Sequence, residues 1–228
     1  MPVETMNKSE DKPHLEMEVK ILEIDPGIII QKLEAIGAKK IFDGMMFIEG
    51  FDFPLIGEIH FNQKGVLPRF KPIFAQIGIL SDGSQTLISQ GAYLRLRKEG
   101  ERSELILKWK DQNNGRKGVK RENELSIPIG AIEWDEVRNM IEQTGLKRIL
   151  IQQKKRKSYV YYPDLRFDID EWPKIPPYLE VEGPDVETIS KGLRLIGFSM
   201  KEASPISGKE VFEKYGIDPS YLVFEESE

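Results

Sequence analysis

Six short stretches of this chain carry two like-signed charges two residues apart, with apolar residues filling most of the positions around them. Glu16 and Glu18, followed by Lys20, alternate with Leu15, Met17, Val19 and Ile21. Arg95 and Arg97 alternate with Leu94 and Leu96, and Lys108 and Lys110 with Leu107 and Trp109. Glu122 and Glu124 neighbour Asn123 and Leu125, Asp168 and Asp170 neighbour Phe167 and Ile169, and Glu180 and Glu182 neighbour Leu179 and Val181. In an extended strand, residues i and i+2 point to the same face, so each stretch reads as a strand with one charged and one apolar side. An antiparallel sheet with one wet face explains any single strand of this kind. It explains the set less well, because like charges about 6–7 Å apart repel unless a counter-charge lies between them. Glu pairs call for a cation and Arg or Lys pairs for an anion. One ligand that brings both is a metal-bound polyphosphate.

Curled into a barrel, such a sheet turns its charged face into a lining. Its apolar exterior then needs a cover, and helical spacing over residues 26–36, 131–144 and 185–196 supplies one. The first of these is bracketed by Asp25, Pro26 and Gly37 as cap, first-turn proline and C-terminal stop. A closed charged interior is costly without a ligand and water, so such an arrangement is functional where it occurs. Strands run in hairpin order through 92–99, 104–111 and 119–127, and again from 151 to 183, with a last short helix at 208–216. The expected class is therefore α+β, built on an antiparallel β-barrel or tunnel of about eight strands with a charged interior and flanking helices. Residues 1–13 are read as a flexible terminus, 14–216 as one domain and 217–228 as a tail. Residues 54–91 form a long insertion with room for a hairpin of its own.

Composition narrows the chemistry. The chain has no Cys, which excludes a disulfide scaffold, a thiol nucleophile and a thiolate metal site. Its two His, at 14 and 60, are too few for an all-His centre, so any metal is held by oxygen. His14 has two readings, one pointing toward the tunnel mouth and the favoured one at the surface, and His60 falls in the insertion. The formal net charge of −5 argues against a nucleic-acid partner. Yet ten basic residues against four acidic ones between Arg95 and Arg121, a local balance of +6, suggest a small polyanion. No apolar run approaches the ~18–20 residues of a membrane span, so no membrane partner is expected. The opening residues show neither signal-peptide nor transit character, which makes a cytoplasmic location the expectation. No Walker A pattern occurs, and Ser/His/Asp chemistry has little support.

Glu16-Met17-Glu18-Val19-Lys20 is an ExExK pattern. With Tyr93-Leu94-Arg95-Leu96-Arg97, Leu107-Lys108-Trp109-Lys110, Arg121-Glu122-Asn123-Glu124, Arg156, Arg166-Phe167-Asp168-Ile169-Asp170 and Tyr178-Leu179-Glu180-Val181-Glu182 following in order, the chain resembles the CYTH superfamily, the triphosphate tunnel metalloenzymes. That family includes class IV adenylate cyclases, thiamine triphosphatases and inorganic tripolyphosphatases. The likeness spans most of residues 14–215.

The resemblance implies a triphosphate bound in the tunnel, with Mg²⁺ or Mn²⁺ on carboxylates. Glu16, Glu18 and Glu182 would be metal ligands, with Glu180 and Glu124 close by. Lys20, Arg95, Arg97, Lys108, Lys110 and Arg156 would hold phosphate oxygens, and Lys209 would be a further phosphate contact, against the favoured reading of a solvated helix lysine. Lys20, Glu16 and Glu18 would carry the catalysis. Glu122, Asp168 and Asp170 would support the site, the two aspartates by orienting basic residues. Lys154, Lys155 and Lys157 read equally as solvated strand charges or, by composition alone, as a localisation-like tract. The insertion at 54–91 departs from compact family members, and its roles stay open: capping the tunnel, carrying a specificity element, or supporting a homodimer. The leading reading is metal-dependent hydrolysis of an inorganic or organic triphosphate such as tripolyphosphate, ATP or thiamine triphosphate. Alternatives are a class IV adenylate cyclase making cyclic AMP and pyrophosphate, a non-catalytic polyphosphate or nucleotide sensor, and a plain scaffold.

Overall fold

The structure, a computed structural model, describes residues 12–54, 61–80, 85–112, 118–130, 133–161 and 164–225. Residues 1–11, His60 and most of the 113–118 turn lie outside the described residues. The strands are β1 (His14–Ile21), β2 (Lys39–Asp52), β3 (Ala92–Glu99), β4 (Arg102–Lys110), β5 (Lys120–Ile129), β6 (Lys147–Tyr161), β7 (Leu165–Glu171), β8 (Tyr178–Glu182) and β9 (Tyr221–Leu222). The α-helices are α1 (Pro26–Ala35), α2 (Lys71–Leu80), α3 (Trp134–Gln143), α4 (Val186–Leu195) and α5 (Gly208–Lys214).

Hydrogen bonding runs β2-β3-β4-β5-β1-β8-β7-β6, and β2 pairs with β6 to close the ring. Eight antiparallel strands thus form a barrel, with β9 added parallel to the early part of β6. Closure removes the sheet edges, which would otherwise expose unpaired backbone groups. The registers align the charged rows across strands. Glu16 lies opposite Glu122 and Glu18 opposite Lys120 on β5. Glu18 lies opposite Glu182 and Lys20 opposite Glu180 on β8. Because cross-strand partners share a face, every one of these side chains points inward.

The alternate residues point outward and make the core. Val19, Phe167, Ile169, Leu179 and Val181 pack under Ile29 and Leu33 of α1 and Ile189 and Leu193 of α4. Leu94, Leu96, Leu105, Leu107 and Ile127 pack under α2 and α3. The hydrophobic core therefore lies between barrel and helices, outside the barrel, as the alternation predicts. Local signals agree. The Asp25 carboxylate caps α1 by accepting from Ile28 N–H at 3.0 Å, and Gly37 follows at φ +81°. Within residues 54–91 the structure departs from the hairpin reading: α2 occupies 71–80, and its Ile73, Phe74 and Ile77 are fully buried. Their one- and four-residue spacing is helical, which leaves them on one face turned to the barrel. At Gly50 a Cβ would sit 2.5 Å from Leu150 Cγ, its partner across β2 and β6, so only glycine lets these walls close. No helix among the described residues is long and apolar enough to cross a membrane.

Leu33 and Leu193 are completely buried where α1 and α4 meet the barrel. Leu33→Ala and Leu193→Ala are each expected to cost about 2–5 kcal/mol, read from the shift in urea midpoint. Values below ~1 kcal/mol for both would mean that these helices do not hold the barrel's outer face.

A charged lumen as candidate active site

The barrel encloses a cavity of about 580 Å³. Glu16, Glu18, Lys20, Arg95, Arg97, Lys108, Lys110, Glu122, Glu124, Arg156, Asp168, Glu180, Glu182 and Lys209 all line it. Asp170 does not: it is fully buried behind Arg156 and Lys154. Lys209 reaches the cavity from α5 with a largely exposed side chain that pairs with Glu213 at 3.5 Å. Lys110 stands exposed at the end of β4.

The charges sort into ion-pair clusters. Lys20 bridges Glu18 at 2.7 Å and Glu180 at 3.1 Å, and Lys120 bridges Glu18 at 2.9 Å and Glu122 at 2.6 Å. Lys108 joins Glu16 and, at 2.9 Å, Glu124. Arg156 reaches Asp168 at 2.6 Å and both Asp170 and Glu180 at 2.5 Å, while Lys154 donates to Asp170 at 2.7 Å. Arg97 and Arg102 close on Glu104 at 2.7 and 2.5 Å. The counter-charge that each like-signed pair needs therefore comes largely from neighbouring strands, a point that single-strand reading misses. Arg95 and Lys110 are exceptions, neither making an ion pair among the described residues; Arg95 lies over the Tyr93 ring and its buried Nε has no hydrogen-bond partner.

Burial and pairing together set the protonation states. Burial by itself would raise Glu18, but Lys120 and Lys20 pull it down to about 2. Burial would likewise raise Glu180, yet Lys20 and Arg156 hold it well below the usual carboxylate range. Burial would lower Lys20, Lys108 and Lys120, and their carboxylate partners reverse it and raise all three. Lys154 differs: burial, reinforced by the Arg156 charge, wins over Asp170 and brings it down to about 8. Lys20 is thus held protonated, a donor to an anion and no base at neutral pH.

Several lumen residues escaped the sequence reading. Lys120, Lys154, Arg166, Tyr93 and Tyr178 line the cavity. Each stands two residues before a charge already on the inward row, so extending the alternation by one step finds them. Lys154 corrects the expectation of a solvated charge: it is buried, whereas Lys155 on the other face is exposed. His14 corrects the expectation of a surface residue: it heads the inward row of β1 and is half-buried beside Glu16 and Glu124. One wall of the lumen is apolar, formed by Met46 and Ile48 of β2, Leu150 of β6, Trp172 and Phe212.

The donor set is rich in carboxylate oxygen and contains no thiolate, which fits a hard divalent cation such as Mg²⁺ or Mn²⁺. Among the described residues, ligand atoms of His14, Glu16 and Glu124 gather within 4.8 Å of one another. Glu16, Glu18 and Glu182 line the same space without gathering that closely, Glu18 being drawn to Lys20 and Lys120.

No protein-family model and no curated protein matches the sequence. Solved structures do match. A proposed adenylate cyclase from Vibrio parahaemolyticus superposes with a TM-score of 0.60 at 14% identity, covering 89% of this chain and 99% of that one. PH1012 protein from Pyrococcus horikoshii gives 0.58 at 18% identity, covering 86% and 98%. A proposed adenylyl cyclase from Hippeastrum, reported with a dominant triphosphatase activity, gives 0.55 at 16%, covering 89% and 96%. At such identities the shared property is the fold, and the tunnel architecture implied by the strand motifs is the one the chain adopts.

Lys154 binds its proton less tightly folded, at about 8, than at its ordinary 10.5. Between those pH values the unfolded chain holds more protons, so this group's contribution makes stability rise with pH there. Lys20, Lys108 and Lys120 have the opposite sign, their contribution being lost as pH climbs through their raised folded values. Lys154→Met is therefore expected to exceed wild type in stability near pH 7 by on the order of 1–3 kcal/mol, since Arg156 still satisfies Asp170. Its advantage shrinks between pH 8 and 10.5. Arg156→Met strands Asp168, Asp170 and Glu180 and is expected to lose about 3–5 kcal/mol. Denaturation of the three proteins at pH 7 and pH 10 checks both signs.

Proposed function

We propose that this chain is a CYTH-type, metal-dependent enzyme that hydrolyses a triphosphate bound in the barrel lumen. One observation carries the reading: one cavity brings Glu16, Glu18, Glu180 and Glu182 together with Lys20, Arg95, Arg97, Lys108 and Arg156. Arg95, which makes no ion pair among the described residues, adds an uncommitted positive charge inside that space. The triphosphatase activity reported for the Hippeastrum protein of the same fold points the same way.

The lumen works by exchange of partners. Before substrate arrives, Lys20, Lys108, Lys120, Arg97 and Arg156 are held by the chain's own carboxylates. A polyphosphate offers the same cations a denser set of oxygens. Arg95, Arg97 and Arg156 suit bidentate contacts that orient it, while Lys20, Lys108 and Lys120 act as movable point charges, with Lys110 and Lys209 at the entrance. Glu16, Glu18, Glu124, Glu180 and Glu182, released from those partners, would hold Mg²⁺ or Mn²⁺, which when bound neutralises charge on the phosphate oxygens. Glu122, Asp168 and Asp170 keep Lys120 and Arg156 aimed inward. Water adds to the terminal phosphorus, the bond to the bridging oxygen breaks, and orthophosphate, a diphosphate and one proton leave. Positioning and charge stabilisation supply most of the rate for such a transfer. Lys20, fully protonated, steadies the negative oxygens and takes no proton.

The apolar wall of Met46, Ile48, Leu150, Trp172 and Phe212 supports a substrate with an organic moiety beside the phosphates. It also sustains the second reading, cyclisation of ATP, in which the ribose hydroxyl attacks the α-phosphorus and pyrophosphate leaves.

Tripolyphosphate, ATP and thiamine triphosphate, each with Mg²⁺ and with Mn²⁺, are to be followed by phosphorus NMR. Orthophosphate is expected, with turnover abolished by EDTA and reduced about 100-fold or more in Glu18→Gln. Pyrophosphate with cyclic AMP would select the cyclase, and metal-enhanced binding without turnover a sensor. Full turnover in EDTA would falsify the proposal.

A further inference from the structure

His14 opens the inward row of β1, two residues before Glu16, and its direct partner across the strand pair is Glu124 of β5. Glu124 lies opposite Lys108 on its other side. The two carboxylates divide their oxygens between these neighbours. Their Oε2 atoms hold the Lys108 ammonium, and their Oε1 atoms face His14 Nε2 at 3.4 Å from Glu16 and 3.8 Å from Glu124. The first distance is at the limit of a hydrogen bond and the second is beyond it. The first matches the separation of neighbouring donors around a cation with bonds of about 2.1 Å, roughly 3.0 Å in octahedral and 3.4 Å in tetrahedral geometry, and all three ligand atoms lie within 4.8 Å of one another.

Charge and access agree with this spacing. Lys108 pairs with both carboxylates through their Oε2 atoms, and their Oε1 atoms are turned to the imidazole. Side-chain exposure falls from 27% at His14 through 11% at Glu16 to 3% at Glu124, a graded path from the barrel rim inward. Nothing in an oxygen-ligated phosphate site asks for an imidazole. A nitrogen donor changes which ion is preferred: carboxylates alone suit Mg²⁺, whereas imidazole favours first-row transition ions.

We propose that His14, Glu16 and Glu124 form a mixed nitrogen–oxygen cation site at the rim of the barrel that selects Mn²⁺ over Mg²⁺. The inference shares Glu16 and Glu124 with the metal-dependent reading of the lumen and rests on it to that extent. His14 is new to it, and is what sets the choice of ion.

The test uses the full chain and metal alone, without triphosphate. With only two histidines in the sequence, ring resonances in ¹H–¹⁵N spectra are assignable by comparison with His14→Gln. Substoichiometric Mn²⁺ is expected to broaden the His14 ring signals ahead of those of His60. His14→Gln is expected to weaken Mn²⁺ binding, measured by the paramagnetic resonance of free ion, by at least the tenfold or so that loss of an outer-shell group costs. Mg²⁺ affinity is expected to stay within about twofold. Equal Mn²⁺ affinity in the two proteins, or wild-type His14 signals untouched by Mn²⁺, overturns the site. Mg²⁺-dependent turnover of triphosphate by the wild type is measured separately. Its absence would remove the reading of the lumen while leaving the Mn²⁺ result to stand or fall by itself.

Discussion

The architecture depends on neutralising, strand against strand, the charges enclosed by the barrel. Lys20 is 1% exposed and Asp170 not at all, depths at which an unpaired charge would be prohibitive. Each is stabilised by partners from a different strand: Lys20 by Glu180 of β8, Asp170 by Arg156 of β6. A register slip of one residue in any strand would send its charged row into the apolar shell and its apolar row into the lumen. Pairing and register therefore enforce each other. The same pairing keeps the enclosed charges neutralised in the folded chain.

An interior of this kind forces the rest of the fold. With the charged face turned in, the apolar face has nowhere to go but outward, so the chain must supply helices to cover it. Ile29 and Leu33, Ile189 and Leu193, and Ile73, Phe74 and Ile77 are those covers, all buried against strand residues that alternate with the charges. The exception is informative. Inward-facing β2 carries Met46, Ile48 and Gly50 where other strands carry charge, and α5 adds Phe212 to the same side. The lumen is two-sided, one side charged and the other apolar.

Much of this was legible from alternation alone, and the failures have identifiable causes. Lys154 sits in the run Lys154-Lys155-Arg156-Lys157, where every position is basic and the period of two cannot be seen. Asp170 and Trp172 around it decide that it points inward. His14 looked peripheral because nothing precedes it in the pattern, and only the β1–β5 register sets it against Glu124. The helix at 71–80 was obscured by proline and glycine around it, although its buried residues keep helical spacing. The mutual pairing of acids and bases was the largest omission, since it arises between segments far apart in the chain, as Lys108 and Glu16 show.

By itself, then, the sequence determined the period-two rows, their signs and their order, and with them an antiparallel barrel with charge on one face and helices on the other. These are local properties, set by where neighbouring side chains point along a strand. Which strands lie side by side, and hence which acid meets which base, was decided only by tertiary structure. Closure of β2 on β6 and the registers around β1 bring Glu18 to Lys120, Glu124 to His14 and Arg156 to three carboxylates at once. Electrostatic energy depends on distance through space and on burial, and neither is a function of spacing along the chain.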